Sequence, residues 1–271
     1  MKKYWTVAAM NWQESLVYRL NAFIWVLYAV LPALTLMLVW RAKYAANGGE
    51  LSPGGLTLPQ MMTYYLFITA FSVVITPHPE WDMAMQIRDG KITSFIVRPI
   101  GYYGYRFFQE TAYQVLKSIM LLPALGVMLW IFHDDLRWPP FEASRFALFL
   151  LSALLAYGLL TQIKFLLGIS AFWISEPAGF LELWHTLINV LGGRLLPMSE
   201  LAKPFPWLVS ISNILPFASL YSFPTRIFLG SAEPQEIAQG FAIQIAWLIA
   251  LSILVRVVWR RGLLAYKGYG G

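Results

Sequence analysis

Residues 22–40 read AFIWVLYAVLPALTLMLVW, a run without a charged side chain and with one proline, Pro32. At 1.5 Å per residue a helix of about 20 residues spans the roughly 30 Å hydrocarbon core of a bilayer, so this run predicts a crossing, bent at Pro32. The whole chain agrees with that reading. Of 271 residues, 58% are hydrophobic and 13% charged, against about 45–50% and about 25% in a soluble domain. The fold expected is an all-α integral membrane protein with six spans in one transmembrane domain, at about residues 22–40, 58–76, 111–132, 146–174, 178–196 and 237–259.

The segments between the spans carry their own signals. NGGELSPGGLTLP (47–59) and HDDLRWPP (133–140) read as loops from their turn residues and charges. Within 198–223, Trp207–Ile214 and Phe217–Phe223 are apolar, flanked by proline and too short to cross, which predicts a re-entrant or interfacial hairpin. Before the first span, Trp5, Ala9, Trp12, Leu16 and Leu20 recur at helical spacing. Residues 3–20 therefore predict a helix lying in the headgroup plane, the alternative being a first span that starts early. The N-terminus opens with lysines, but Asn11, Gln13 and Glu14 interrupt any signal-peptide core, so it is expected to stay in the mature protein.

Six spans place both termini on one side. Basic residues divide 13 to 7 in favour of that side, Arg98 and Lys267 among the 13, while acidic residues divide 7 and 7. The positive-inside rule then makes both termini cytoplasmic, the 198–223 hairpin external, and the chain a multi-pass protein of the cell membrane.

Absences narrow the chemistry. With no cysteine, thiol nucleophiles and cysteine metal sites are excluded. GxxxxGK[ST], HExxH and GxSxG do not occur, and His78, His133 and His185 lie in separate segments, so no nucleotide, metal or hydrolase site of its own is expected. Basic residues form no dense run, which leaves no nucleic-acid site. No glycine pair has GxxxG spacing, and no repeat relates the two halves.

The most informative polar stretch is cytoplasmic: PEWDMAMQIRDGKITSFIVRPIGYYGYRFFQE, residues 79–110. Pro79 suits a first helical position, Glu80 and Asp82 the positive helix end, Arg88 the last turn, and Gly90 a left-handed cap. Trp81 with Met85, and Met83 with Ile87, give this short helix apolar pairs to bury, against a partner or against the chain's own span ends.

EWDMAMQIRDGKITSFIVRP, YYGYRFFQE, GISAFW (168–173), GGRLLPMSELAKPFPWL (192–208), LPFASLYSFPTRIFLG (215–230) and WRRGLLAYKGYGG (259–271) together resemble one branch of the type-two ABC (ABC-2) exporter permeases, in order over essentially the full chain. The resemblance implies a permease subunit, not itself an enzyme, that pairs with a second permease, similar or identical, and with an ABC ATPase dimer holding ATP and Mg. It makes loop 77–110 the coupling segment, and the cargo an amphipathic molecule, lipid or polymer. Glu80, Trp81, Asp82, Met85, Arg88 and Asp89 are the expected ATPase contacts, and Arg98 and Pro99 are expected to set where the chain re-enters the membrane.

Two further features bear on a path. Glu182, His185 and Asn189 stand at i, i+3 and i+7 on one face of the fifth span, with Lys164 a candidate partner for Glu182. They predict a translocation path or permease interface, the alternative being that Glu182 caps an interfacial turn while Lys164 snorkels. Trp25, Tyr28, Tyr64, Tyr65, Phe67 and Phe71 could line such a path or simply pack. Other functional classes are a membrane transferase built on Asp134 and Asp135, or a membrane anchor.

Overall fold

The computed structural model describes residues 2–96 and 100–266, so Arg98, Pro99, Lys267 and the end of WRRGLLAYKGYGG lie outside the described residues. The described chain is helical throughout, with no strand: α1 (Lys2–Val17), α2 (Arg19–Ala46), α3 (Leu58–Ile75), α4 (Pro79–Arg88), α5 (Thr93–Ile96), α6 (Tyr102–Phe132), α7 (Ala143–Ile169), α8 (Ala178–Leu191), α9 (Met198–Ala202), α10 (Pro206–Ile214), α11 (Ser222–Leu229) and α12 (Pro234–Ala265).

Five stretches among the described residues are long and apolar enough to cross a membrane. They are Arg19–Ala46, Leu58–Arg88, Tyr102–Asp135, Ala143–Phe172 and Pro234–Ala265. The expected fifth span, 178–196, departs from prediction: α8 stops at Leu191 after 14 residues. The chain turns there through Gly192 and Gly193, the latter at φ +82°. At 1.5 Å per residue α8 is about 21 Å long, short of a hydrocarbon core.

Helix α3 is the hub, starting at a capping box in which Thr57 and Gln60 satisfy each other's backbone N–H groups. It is apolar on every face because one side packs on α2 and α6 around Met37, Met62 and Leu121. Its other side packs on α7, α8 and α11 around Leu160, Leu181 and Ile227. By contrast α2, α6, α7 and α12 each expose an outer stripe, such as Leu31, Leu122, Leu154 and Ile249, as a lipid-facing helix does. Gln244 of α12 is buried and donates to the Ser219 carbonyl while accepting from Ser152, which ties α12 to α7 and to the turn before α11.

Two boundaries differ from expectation. The second short helix is Ser222–Leu229 and not 217–223, because Pro224 falls in the first turn, where a missing N–H leaves no bond unmade. Residues 217–221 instead form turns that bury Phe217, Leu220 and Tyr221. Helix α6 begins at Tyr102, so the segment between spans ends at residue 101 and not 110.

Helix α1 packs on α6, with Tyr4 stacked on Phe108 at 5.4 Å. Its buried stripe is Val7, Asn11 and Ser15. Leu16, and Leu20 at the start of α2, are exposed, as is much of Trp5, which meets Phe108 edge-on at 6.1 Å.

Candidate functional site

Helix α4 builds the site because its two faces meet different surroundings. Met83, Ala84 and Ile87 are buried against α7 and its 3-10 extension. The fit is close at Gly168, where an added Cβ would stand 2.9 Å from Met83 Cβ. Gly90 ends the helix at φ +76°, the left-handed cap expected of it. On the opposite face Met85, Arg88 and Asp89 are exposed. Lys91 Nζ lies 3.1 Å from Asp89 Oδ2 and, by that hydrogen bond, holds the carboxyl below its usual range.

Glu80 is not on the outer face. Its side chain is 0% exposed, and Oε1 lies 2.8 Å from Lys164 Nζ, 2.7 Å from His185 Nε2 and 3.2 Å from His78 Nδ1. The expected Lys164–Glu182 pair is thus replaced by Lys164–Glu80, because the first turn of α4 carries Glu80 against α7. Asp82 is half exposed and bonded to Arg106 Nη1 at 3.2 Å. Trp81 is half-buried, edge-on to His185 at 5.8 Å. Of the six expected ATPase contacts, Met85, Arg88 and Asp89 are exposed, with Arg88 3.6 Å from Asp89 and 4.0 Å from Glu176, Asp82 is half exposed, and Glu80 and Trp81 face inward.

Lys164, Glu182, His185 and Asn189 line one cavity of about 410 Å³. Trp25 and Tyr28 line it too, and Trp25 stacks on His78 at 5.5 Å. The other aromatic candidates do not. Tyr64 and Tyr65 donate to the carbonyls of Gly193 and Leu195, and Phe67 and Phe71 pack with Phe149.

A second cavity, of about 460 Å³, adjoins the first and is bounded by Glu14, Tyr18, Asp82, Glu110 and Tyr113; Asn21, Trp25, His78, Trp81 and Lys117 are walls of both. Sequence reasoning missed Arg106, Glu110 and Lys117 as site residues. The signal was present, since Arg106, Glu110, Gln114 and Lys117 recur at i, i+4, i+8 and i+11 on α6 and all four are buried.

His78 and Glu80, two residues apart, and the remote His185 bring potential metal-ligand atoms within 4.8 Å of one another. The chemistry is that of a hydrogen-bonded ion pair, since the Lys164 ammonium shares the same oxygen. His185 Nε2 at 2.7 Å is also nearer to it than the about 3.3 Å separating two donors on a tetrahedral ion. At the other end Asp135 is paired with Arg41 at 3.0 Å and Asp134 with His133 at 3.3 Å.

In comparisons with known proteins, the profile of the ABC-2 family transporter protein matches residues 30–270. No curated protein and no solved structure matches the chain.

Proposed function

The chain belongs to the ABC-2 family of transporter proteins, and from that premise we propose that it is the permease subunit of an ATP-driven exporter. The family implies association with an ABC ATPase. In this reading ATP and Mg bind that partner dimer, the chain has no catalytic site of its own, and α4 is the element the ATPases push. A second permease completes the path, and the cargo is an amphipathic molecule, lipid or polymer moved outward. Both termini and α4 face the cytoplasm. The sixth crossing is completed by α8 together with the turns after it, which reach Tyr64 and Tyr65 of α3 and bring Glu200 to Gly54. The turns at 215–221 dip inward from outside.

The two-faced helix α4 is the observation that carries this reading. Its inner face is fixed to α7 by Met83 and Ile87 against Gly168, and its first turn by the Glu80–Lys164 ion pair. Its outer face offers Met85, Arg88 and Asp89. A force on the outer face therefore reaches α7 and α8 directly. The inward dip is supported by Tyr221, whose hydroxyl lies 2.8 Å from Thr76 at the α4 end of α3.

Copurification with the ATPase tests the reading. Replacing Met85 and Arg88 by alanine should leave membrane insertion intact and reduce ATPase recovery and cargo-stimulated ATP hydrolysis by at least ten-fold. Normal recovery and hydrolysis would overturn the assignment of α4. A cysteine in place of Asp89 should resist a membrane-impermeant thiol reagent in intact cells; labelling there would reverse the topology.

A further inference from the structure

Glu110 and Lys117 are 8% and 4% exposed, lie seven residues apart on α6, and make no ion pair among the described residues. Glu110 Oε2 accepts one hydrogen bond, from the His78 backbone N–H at 3.2 Å. Lys117 donates to the Thr76 carbonyl at 3.3 Å and lies 5.4 Å over the Tyr113 ring. Their backbones stand about 10 Å apart along the helix, and the two side chains reach the same turn, at Thr76 and His78, without pairing. Buried charges are normally paired or matched by something bound.

The two cavities differ in their balance of charge: the first holds Lys117, Lys164 and Arg194 with one carboxylate, Glu182, and the second holds Glu14, Asp82 and Glu110 with Lys117. Around Glu110 stand Glu14 and Asp82 with the aromatic rings of Tyr18, Tyr113, Trp25 and Trp81, a setting that holds an organic cation by charge and by ring faces. Around Lys117 the first cavity adds Arg194, whose Nη1 donates to Asn189 and which has no carboxylate partner among the described residues. Lys164 in that cavity is already matched by Glu80. A ligand with a cation and an anion a few bonds apart can match both charges at once, each about 3 Å from its protein partner.

We propose that the two adjoining cavities form one site for a zwitterionic headgroup, with its ammonium held by Glu110 and the rings of Trp25, Trp81 and Tyr113, and its phosphate by Lys117 and Arg194. This deepens the permease reading, and rests on it, only in making that ligand the cargo.

The test is calorimetric titration of the full chain in nanodiscs of anionic lipid, without an ATPase. Hexylphosphocholine should bind at least ten-fold more tightly than hexyltrimethylammonium or hexyl phosphate, each of which keeps one of its two charges. Glu110→Gln should abolish the advantage over hexyl phosphate, and Lys117→Gln the advantage over hexyltrimethylammonium. Equal binding of the three ligands by the unaltered chain would overturn the proposal, whether or not the variants fold. Unchanged selectivity in folded variants would do the same. Glycerophosphocholine separates the sources: affinity equal to hexylphosphocholine assigns the site to a water-soluble zwitterion, and weaker binding assigns it to a lipid headgroup. A negative titration leaves the ATPase test of the permease reading untouched, and loss of the ATPase leaves the titration valid.

Discussion

The end of the protein that carries α4 and the end opposite it are held together by different chemistry. At the α4 end the ties between remote segments are charged, with Glu80 reaching Lys164 and His185 and Arg106 reaching Asp82. Hydrogen-bonding capacity is left over, on Glu80 Oε2 and Arg106 Nη2. At the opposite end ion pairs such as Arg41–Asp135 and Arg226–Glu236 are partly exposed, and the buried ties are neutral donors closed onto main-chain or hydroxyl oxygens or onto the Glu200 carboxylate. Tyr44 donates to the Leu56 carbonyl at 2.6 Å, Tyr65 to the Leu195 carbonyl at 3.1 Å, and the Arg137 N–H to Thr63 Oγ1 at 2.9 Å. A carbonyl fixed in a turn offers one geometry, whereas a carboxylate with a spare oxygen can exchange partners. The contrast teaches that the opposite end is built to stay closed and the α4 end to rearrange.

Lys164→Met is the strongest way to break that contrast. It strands the Glu80 carboxylate in the interior, and losing one member of a buried pair costs about 3–5 kcal/mol, seen as a large drop in thermal unfolding temperature of the purified chain. Adding Glu80→Gln should recover part of the loss; no recovery would mean that the charge is not what holds this end. Gly168→Ala follows, because its methyl would press on Met83 Cβ at 2.9 Å. Overpacking of this kind costs about 2 kcal/mol and should speed hydrogen exchange across residues 79–88 while leaving 58–66 protected.

Tyr64→Phe removes one neutral tie, to the Gly193 carbonyl, and should cost about 1 kcal/mol in the same unfolding assay. A cost as large as that of Lys164→Met would erase the distinction between the two ends. The smallest effect belongs to the outer face of α4. Alanine at Met85 and Arg88 together should change stability by under about 0.5 kcal/mol, which sharpens the comparison by separating contacts made for the fold from contacts free for a partner.

The sequence made the crossings legible where a span is uniformly apolar, as at 22–40, and made α4 legible through Pro79, Arg88 and Gly90. It misjudged α8, because 178–196 has the hydropathy of a span while Gly192 and Gly193 stop the helix early. Pro224 was misleading in a different way, since a proline reads as a boundary from composition alone although it is tolerated in a first helical turn. In the site, the Glu182, His185 and Asn189 stripe was visible from spacing and does line a cavity with Lys164. The same spacing argument applies to Arg106, Glu110 and Lys117, but their charges had been absorbed into the count that set the topology. That Glu80 turns inward was not legible, because helical phase tells which residues share a face and not which face meets α7.

Gly168 gives the α4–α7 contact a mechanical property. With no side chain on the glycine, the space its Cβ would fill is bordered by Met83 Cβ and by the Glu80 Cα, atoms held directly by the α4 backbone and unable to swing aside to take up slack. A joint with clearance loses the first part of any stroke, and a long flexible side chain would supply such clearance by changing rotamer. Here a displacement of α4 toward α7 by a fraction of an ångström must be passed on as displacement of α7 itself. The linkage has no backlash.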